Sequence, residues 1–157
     1  MRAEAVRLAT ADPADPAVDA LIRLHLTEMH AKTPAGFVFA LDTSALAAPD
    51  ITLVGAWIDG ELAGLGALKE LDPAHGELKS MRTHPDHTRR GVGQAVLDHL
   101  IAMARARGYA RVSLETGTTD DFAAAIALYE RNGFTPCGPF GDYAPSDHNR
   151  FLTLALA

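Results

Sequence analysis

Residues 77–115 constrain the fold most, because they predict a strand, a glycine-containing loop, a long helix and a second strand in that order. Apolar residues recur every three or four positions from Val92 to Ala104, and Gly108 stands where a helix of about four and a half turns would end. A crossover of this kind is right-handed in nearly all known folds and joins parallel strands. We therefore expect residues 77–83 and 111–115 to form a parallel pair.

The chain before this segment predicts an antiparallel hairpin. Two apolar runs, residues 51–58 and 62–68, flank the dipeptide Asp59-Gly60. This dipeptide favours a tight turn because both of its residues tolerate positive φ. A second turn at 72–76 then leads into the strand at 77–83, so three strands are expected to form an antiparallel meander.

Four further patterns complete an α/β fold with a mixed, mostly antiparallel sheet. They predict, in chain order, a strand at 5–9, an amphipathic helix at 18–29, a helix that begins at Thr119 or Asp120 and ends at Arg131, and a strand at 151–156. The chain has 157 residues and contains no internal repeat or low-complexity tract. A single domain spanning residues 1–157 is therefore expected.

The charge distribution indicates a local anion site. The net charge is −6, which argues against a protein whose whole surface binds nucleic acid. Residues 81–111 nevertheless hold six basic and only two acidic side chains. Arginines at the end of a helix are commonly just solvated, but Arg82, Arg89 and Arg90 precede the predicted helix. We expect these three to attract an anionic ligand.

Composition favours a reducing, cytoplasmic setting away from the membrane. Apolar residues make up 48% of the chain, and their longest run, residues 51–58, is far shorter than the ~20 residues that span a bilayer. The charged, proline-containing N-terminal segment does not resemble a secretory signal. Cys137 has no cysteine partner for a disulfide or a zinc cluster. His84 and His87 lack a clear third ligand, so no metal site is expected.

The strand predicted at 77–83 is unusually polar for its position. A strand beside a parallel partner is normally a continuous apolar run, yet most of these seven residues are charged or hydroxylated. Burying a charge without a partner is costly, so we expect the strand to border a cleft. The alternative is an amphipathic strand with one hydrated face.

A second unusual segment, residues 89–95, lies between that strand and the long helix. Its glycines, Gly91 and Gly93, let backbone N–H groups approach a ligand closely, and the first turn of a helix has unpaired donors and a positive dipole end. Arg89 and Arg90 add charge and fork-shaped donors that suit phosphate. Together these features predict a pyrophosphate site.

Two other phosphate-binding classes fit this segment less well. A P-loop nucleoside triphosphatase needs a lysine and a hydroxyl after Gly93, and neither is present. A dinucleotide-binding fold gains some support from Glu115, which stands about where a ribose-binding acid could lie. It is opposed by Val96 at the third glycine position, by the seven-residue loop 84–90 before the glycines, and by the short chain.

The same segment resembles the GCN5-related N-acetyltransferases (GNAT). Their signature Q/R-x-x-G-x-G/A is matched by Arg90-Gly91-Val92-Gly93-Gln94-Ala95, and their strand ending in V-x-P is similar to Thr83-His84-Pro85. Their L-Y-x-x-x-G-F segment resembles residues 128–134. Order and spacing agree, so the resemblance covers nearly the whole chain, although the specific motifs are confined to residues 77–134.

The resemblance implies a GNAT-like fold in which the parallel strand pair is splayed to hold acetyl-CoA, with helices on both faces of the sheet. The pantetheine arm would pair with the backbone of Met81, Arg82 and Thr83, and the Met81 N–H would polarise the thioester carbonyl. The implied pyrophosphate site consists of Arg89, Arg90, Gly91, Val92, Gly93, Gln94 and Ala95.

The resemblance also implies two catalytic residues. Glu77 stands where some family members have a general base, acting directly or through water, and the alternative is a solvated acid at a strand end. His75 and His84 are weaker candidates. Tyr129 matches a tyrosine that protonates the departing thiolate, and the alternative is core packing. Phe122 replaces a family asparagine that often contacts the cofactor, so that contact is lost or replaced.

We therefore expect an enzyme that transfers acetyl directly from acetyl-CoA to a primary amine of a small molecule or peptide. The alternatives are a non-catalytic module that senses or binds coenzyme A and, less favoured, the dinucleotide-binding protein. The acceptor is expected against the N-terminal helix, residues 34–39 and Asp142-Tyr143, whose apolar and acidic groups suit a small cationic amine. A homodimer is compatible with the sequence, but no feature specifies one.

Overall fold

The structure is a computed structural model that describes residues 5–156, and it contains one seven-stranded sheet. The strands are β1 (Arg7–Thr10), β2 (Ile51–Ile58), β3 (Glu61–Asp72), β4 (His75–Thr83), β5 (Arg111–Gly117), β6 (Thr135–Cys137) and β7 (Asn149–Ala155). Their order across the sheet is β1-β2-β3-β4-β5-β7-β6. β4 and β5 are parallel and the other neighbours are antiparallel, so the predicted parallel pair in a mixed α/β fold is confirmed.

Local sequence accounts for where the helices begin and end. They are α1 (Pro16–Lys32), α2 (Thr43–Leu46), α3 (Val92–Ala106) and α4 (Ala123–Arg131). α1 begins after Asp15, whose carboxylate accepts hydrogen bonds from the first-turn N–H groups, and proline is its first residue. α3 is followed by Gly108 with a φ of +80°, the left-handed conformation expected from the sequence. Across residues 5–156, no helix combines the length and apolar character needed to cross a membrane.

Different helices cover the two faces of the sheet. In β3, Ala67 packs with α1 whereas Leu68 packs with α3, because successive strand residues point to opposite faces. Gly66 lies on the α3 face, where an added Cβ would come within 2.6 Å of Val96 and 2.7 Å of the Met81 sulfur. Glycine at this position lets α3 lie close to the sheet and fixes its N-terminus beside β4.

Apart from shifts of a few residues at the ends of the other elements, the structure differs from the sequence-based expectations at four places. The short elements α2 and β6 were not predicted, because four and three residues are too few to show a periodicity. The helix expected from Thr119 or Asp120 begins at Ala123, since Asp120–Phe122 form a 3-10 turn. The turn expected at 72–76 is shorter, because β4 already begins at His75.

Candidate active site

A cleft opens where the parallel strands separate. β4 and β5 are paired only from His75 opposite Arg111 to Leu78 opposite Leu114. Beyond that point, residues 115–117 pair with β7 alone and the end of β4 pairs with β3 alone. The backbone edge of β4 that faces β5 is therefore open, and a cavity of about 450 Å³ lies between the strands. This is the splayed pair that the resemblance implied.

A bulge in β4 lies at the mouth of this separation. Leu65 pairs with Arg82 and Ala67 pairs with Lys79, so two residues of β4 face the single residue between them on β3. One of the two is Ser80, with a φ of +56° that is uncommon for a residue other than glycine. A bulge bends a strand and increases its twist, which turns the end of β4 away from β5.

The glycine segment forms the floor of one end of the cavity. Gly91 precedes α3 with a φ of +77°, and no side chain caps the helix, so the N–H groups of Val92, Gly93 and Gln94 are left for a ligand. Leu128 lies close to this turn, because a Cβ added at Gly93 would be 3.4 Å from its side chain. The N–H of Ala95 donates to the carbonyl of Gly91 at 3.0 Å. Ala95 therefore has no free N–H to offer at the implied pyrophosphate site.

The three arginines of the basic segment have different surroundings. The guanidinium of Arg82 donates to Nδ1 of His25 at 3.0 Å and to Glu28 at 2.7 Å, so its charge already has a protein counterion, and the expected role of its side chain in an anion site stays a prediction. Its backbone still borders the cleft. Arg89 is exposed with a φ of +64°, and exposed Arg90 lies 3.0 Å from a ring nitrogen of His87.

Glu77 lies at the other end of the cavity in a buried polar network. The residue is 2% exposed, which excludes a solvated acid at a strand end. The Tyr143 hydroxyl donates to its Oε2 at 2.5 Å, and Lys79 Nζ lies 3.2 Å from the same oxygen and 2.8 Å from the Tyr143 hydroxyl. Burial and the charge of Glu77 raise the pKa of Tyr143, so its hydroxyl remains a donor.

Glu115, on the neighbouring strand, also lines the cavity, and the sequence analysis did not identify it as a catalytic candidate. Burial raises its pKa to about 7, with nearby Lys79 lowering it and nearby Glu77 raising it. It makes no hydrogen bond or ion pair with any residue in the range 5–156. A carboxylate that is half ionised near neutral pH and has no protein partner can accept a proton from a bound ligand.

Tyr129 and Phe122 border the cavity from the side of α4. Tyr129 is 6% exposed, its ring packs against Phe134 at a centroid distance of 5.6 Å, and burial raises its pKa. Its hydroxyl has no hydrogen-bond partner within the described chain. The Phe122 ring lies over Gly117, where a Cβ would approach it within 2.2 Å. Phe122 thus closes the end of β5 with an apolar contact where the family often has an amide.

Two loops meet beside the Glu77 network. Phe39 contacts the Tyr143 ring at 5.2 Å and Phe37 contacts His148 at 4.6 Å. Both phenylalanines line the cavity together with Met29 of α1. Of the segments expected to contact an acceptor, α1 and residues 37–39 line the cavity, whereas Asp142 and Tyr143 do not, and Tyr143 packs behind Phe39.

The remaining candidates have local roles. His75 is buried and bonds to Ser113 at 2.7 Å, and His84 accepts from the N–H of Asp86 at 3.0 Å. Cys137 lies on β6 outside this cavity, and burial raises the pKa of its thiol. Within the described residues, no three metal-binding side chains come together.

Comparison with known proteins places this geometry in a family. The model of the acetyltransferase (GNAT) family matches residues 18–134. The N-acetyltransferase YedL of Escherichia coli K12, described as uncharacterized, is 46% identical over 147 residues, which cover 94% of this chain and 92% of that protein. YsnE of Bacillus subtilis 168, also described as an uncharacterized N-acetyltransferase, is 48% identical over 139 residues, covering 88% of this chain and 92% of that protein.

A solved structure agrees with these matches. It belongs to a Klebsiella pneumoniae protein assigned as an acyl-CoA N-acyltransferase, and its chain is 27% identical to this one. The two superpose with a TM-score of 0.79 over 97% of this chain and 98% of that chain. The two chains therefore share their overall fold along nearly their whole length.

Proposed function

The chain belongs to the acetyltransferase (GNAT) family, and from this premise we propose that it transfers an acetyl group from acetyl-CoA directly to a primary amine of a small molecule or peptide. It is an acyltransferase enzyme, and we propose that residues 1–157 form its single catalytic domain. The observation that supports the proposal best is that one cavity runs from the uncapped start of α3, at Gly93, to the carboxylates of Glu77 and Glu115.

The end of the cavity at α3 suits the phosphates of coenzyme A. The N–H groups of Val92, Gly93 and Gln94 point out of the first helical turn, where the helix dipole is positive. The adjacent Arg89 and Arg90 add positive charge at the exposed side of this turn. The open edge of β4 from Met81 to Thr83 offers backbone groups to the amides of the pantetheine arm. The N–H of Met81, beside the bulge, is proposed to polarise the thioester carbonyl.

Glu115 is the better placed of the two carboxylates to act as the general base. Alkylamines have a pKa of about 10, so the acceptor arrives as an ammonium and must lose a proton before it can attack. Oε2 of Glu77 already accepts hydrogen bonds from Tyr143 and Lys79, whereas Glu115 has no hydrogen-bond or ion-pair partner in the described part of the chain. Its pKa of about 7 leaves it able to take the proton near neutral pH. We propose that Glu77 holds Lys79 and Tyr143 in place beside it.

The transfer itself exchanges one bond for another. The amine nitrogen bonds to the acetyl carbonyl carbon, and the carbon–sulfur bond breaks with its electron pair going to sulfur. Of the two protons lost from the ammonium, one passes through Glu115 to solvent and the other ends on the thiol. Tyr129 stays protonated, because burial raises its pKa, and we propose that its hydroxyl stabilises the departing thiolate by donating a hydrogen bond. Cys137 lies outside the cavity, which supports transfer without an acetylated enzyme intermediate.

Thiol release from acetyl-CoA tests the proposal. The protein would be incubated with acetyl-CoA and, separately, with amino acids, polyamines, aminoglycosides, alkylamines and peptide N-termini, while calorimetry measures acetyl-CoA binding. We expect binding together with amine-dependent thiol release and an acetylated amine detected by mass spectrometry. Binding without any acetylated amine would instead indicate a non-catalytic coenzyme A module, and absence of binding would contradict the assignment of the donor site.

A further inference from the structure

The acceptor end of the cavity has an apolar wall. α1 contributes Met29, the loop after it contributes Phe37 and Phe39, and β3 contributes Leu65. Tyr143, which does not line the cavity, packs edge-on against the Phe39 ring and fixes its position in this wall. Packing an apolar part of a ligand against these side chains would stabilise the complex and would require no hydrogen bonds.

The charges that line this cavity largely cancel in pairs. Lys79 is ion-paired with Glu77 at 3.2 Å, and the side chains are 9% and 3% exposed. Arg82 is ion-paired at 2.7 Å with Glu28, which lies behind it on α1. His25 is neutral, because burial and the charge of Arg82 lower its pKa to about 4. Both cations of the cavity wall are therefore already held by protein carboxylates.

Glu115 is the exception. Among the cavity-lining acids of the described chain, Glu77 is paired with Lys79, and Asp121 is exposed on the 3-10 turn, where solvent screens its charge. Glu115 is partly buried and has no hydrogen-bond or ion-pair partner among residues 5–156, so it can pair with one ammonium. Among the described residues, a second ammonium inside the cavity would find no unpaired carboxylate other than the exposed, solvent-screened Asp121, so it would lose hydration with little compensation. A carboxylate on the acceptor would have to displace Glu77 or Glu28 from its cation.

We propose that the acceptor is a primary monoamine whose single ammonium pairs with Glu115 and whose uncharged, apolar or aromatic body packs on Met29, Phe37 and Phe39. This inference rests on the function proposed above and narrows the acceptor to one chemical class. It excludes polyamines, aminoglycosides and free amino acids as the preferred substrates.

Three amines with the same six-carbon chain isolate the effect of a second charge. Hexylamine has a neutral end, hexamethylenediamine has a second ammonium, and aminocaproate has a carboxylate. With the wild-type enzyme, we expect kcat/KM for hexylamine to exceed the other two values by at least about tenfold. Comparable or higher values for the diamine or for aminocaproate would overturn the inference.

Two variants should redirect this preference in opposite ways. Lys79→Gln leaves Glu77 without its cation. The ratio of kcat/KM for the diamine to that for hexylamine should therefore rise by at least about fivefold, while the ratio for aminocaproate should not rise. Glu28→Gln leaves Arg82 without its anion, so aminocaproate should gain instead. Each variant is the control for the other, because general damage to the site would not reverse the order of the two charged amines. Unchanged ratios in both variants would count against the charge argument.

The outcome also separates this inference from the proposed function. Acetylation of polyamines or aminoglycosides in preference to hexylamine would overturn the acceptor class and leave the N-acetyltransferase function standing. If the protein binds acetyl-CoA but acetylates none of the amines tested, the proposed function fails and the acceptor class fails with it.

Discussion

The two ends of the cavity are built in different ways. At the α3 end, the groups offered to a ligand are backbone N–H groups of consecutive residues, from Val92 to Gln94. At the other end, they are side chains from two strands, β4 and β5. Tyr143, from the loop between β6 and β7, bonds to Glu77, 66 positions earlier in the chain. The first end depends on local backbone conformation, and the second depends on how the whole sheet assembles. Variants at the two ends should therefore change different measured quantities.

The largest effect is expected at the side-chain end. Glu115→Gln should lower kcat/KM by at least about a hundredfold at neutral pH, because the amide cannot accept the ammonium proton. The dissociation constant of acetyl-CoA should change little, since the α3 end is untouched. Steady-state kinetics and calorimetry would measure the two quantities.

Glu77→Gln is the matched variant, because it changes the other buried carboxylate of the same end. A larger loss in Glu77→Gln than in Glu115→Gln would show that Glu77 is the base, as the sequence suggested. We expect the opposite order, with the larger loss in Glu115→Gln.

At the backbone end, Gly93→Glu should weaken acetyl-CoA binding by at least about thirtyfold. The new carboxylate would lie near the proposed phosphate site, and repulsion between like charges costs about 2 kcal/mol there. Gly93→Ala is the control, because its Cβ would lie 3.4 Å from Leu128 and fits with little movement. Calorimetry that finds equal affinity in Gly93→Glu and wild type would refute the phosphate assignment.

The same contrast explains what the sequence could predict. The parallel pair and α3 follow from a periodicity and a glycine segment contained within 39 consecutive residues, 77–115. Glu115 is one polar residue in the predicted strand 111–115, and nothing in its neighbours shows that it loses its hydration. Glu115 lines the cavity that opens where β4 and β5 separate, close to the bulge at Ser80. A bulge of one residue in a polar strand has no sequence pattern of its own.

Arg82 shows a second limit. Counting charges by segment correctly drew attention to residues 81–111, but it could not reveal that α1 supplies Glu28 as the partner of Arg82. That pairing links residues 54 positions apart, and it depends on α1 packing across β4. A cluster of like charges in the sequence therefore predicts an anion-binding site only if no carboxylate from a distant part of the chain pairs with them in the fold.

Tyr143→Phe should lower the free energy of unfolding by about 1.5 kcal/mol. The variant keeps the ring contacts with Phe39 and Phe140 but removes the hydroxyl that donates to buried Glu77. Chemical denaturation would measure the change. Phe39→Leu is a useful comparison, because it alters the ring contact and keeps the hydrogen bond. Unaltered stability in Tyr143→Phe would mean that the hydrogen bond to Glu77 contributes little.

The smallest effect is expected for Tyr129→Phe, which should lower kcat by about fivefold to tenfold and leave acetyl-CoA affinity nearly unchanged. The lost hydrogen bond would stabilise only the departing thiolate, while the ring keeps its packing against Phe134. Single-turnover kinetics would separate this step from product release. Equal turnover in the variant and the wild type would remove Tyr129 from the mechanism.

The pH dependence of kcat/KM for an alkylamine tests the central claim most directly, namely that Glu115 receives the proton of an ammonium at the side-chain end of the cavity. Glu115 acts when ionised, and its pKa is about 7, so the wild-type value should rise through that pH and then level off below the pKa of the amine. Glu115→Gln should lose the levelling-off, and its much lower value should keep climbing with the free-amine fraction towards the pKa of the amine. If the wild-type value also keeps climbing to that pKa, or if the variant levels off above pH 7 as the wild type does, Glu115 is not the base.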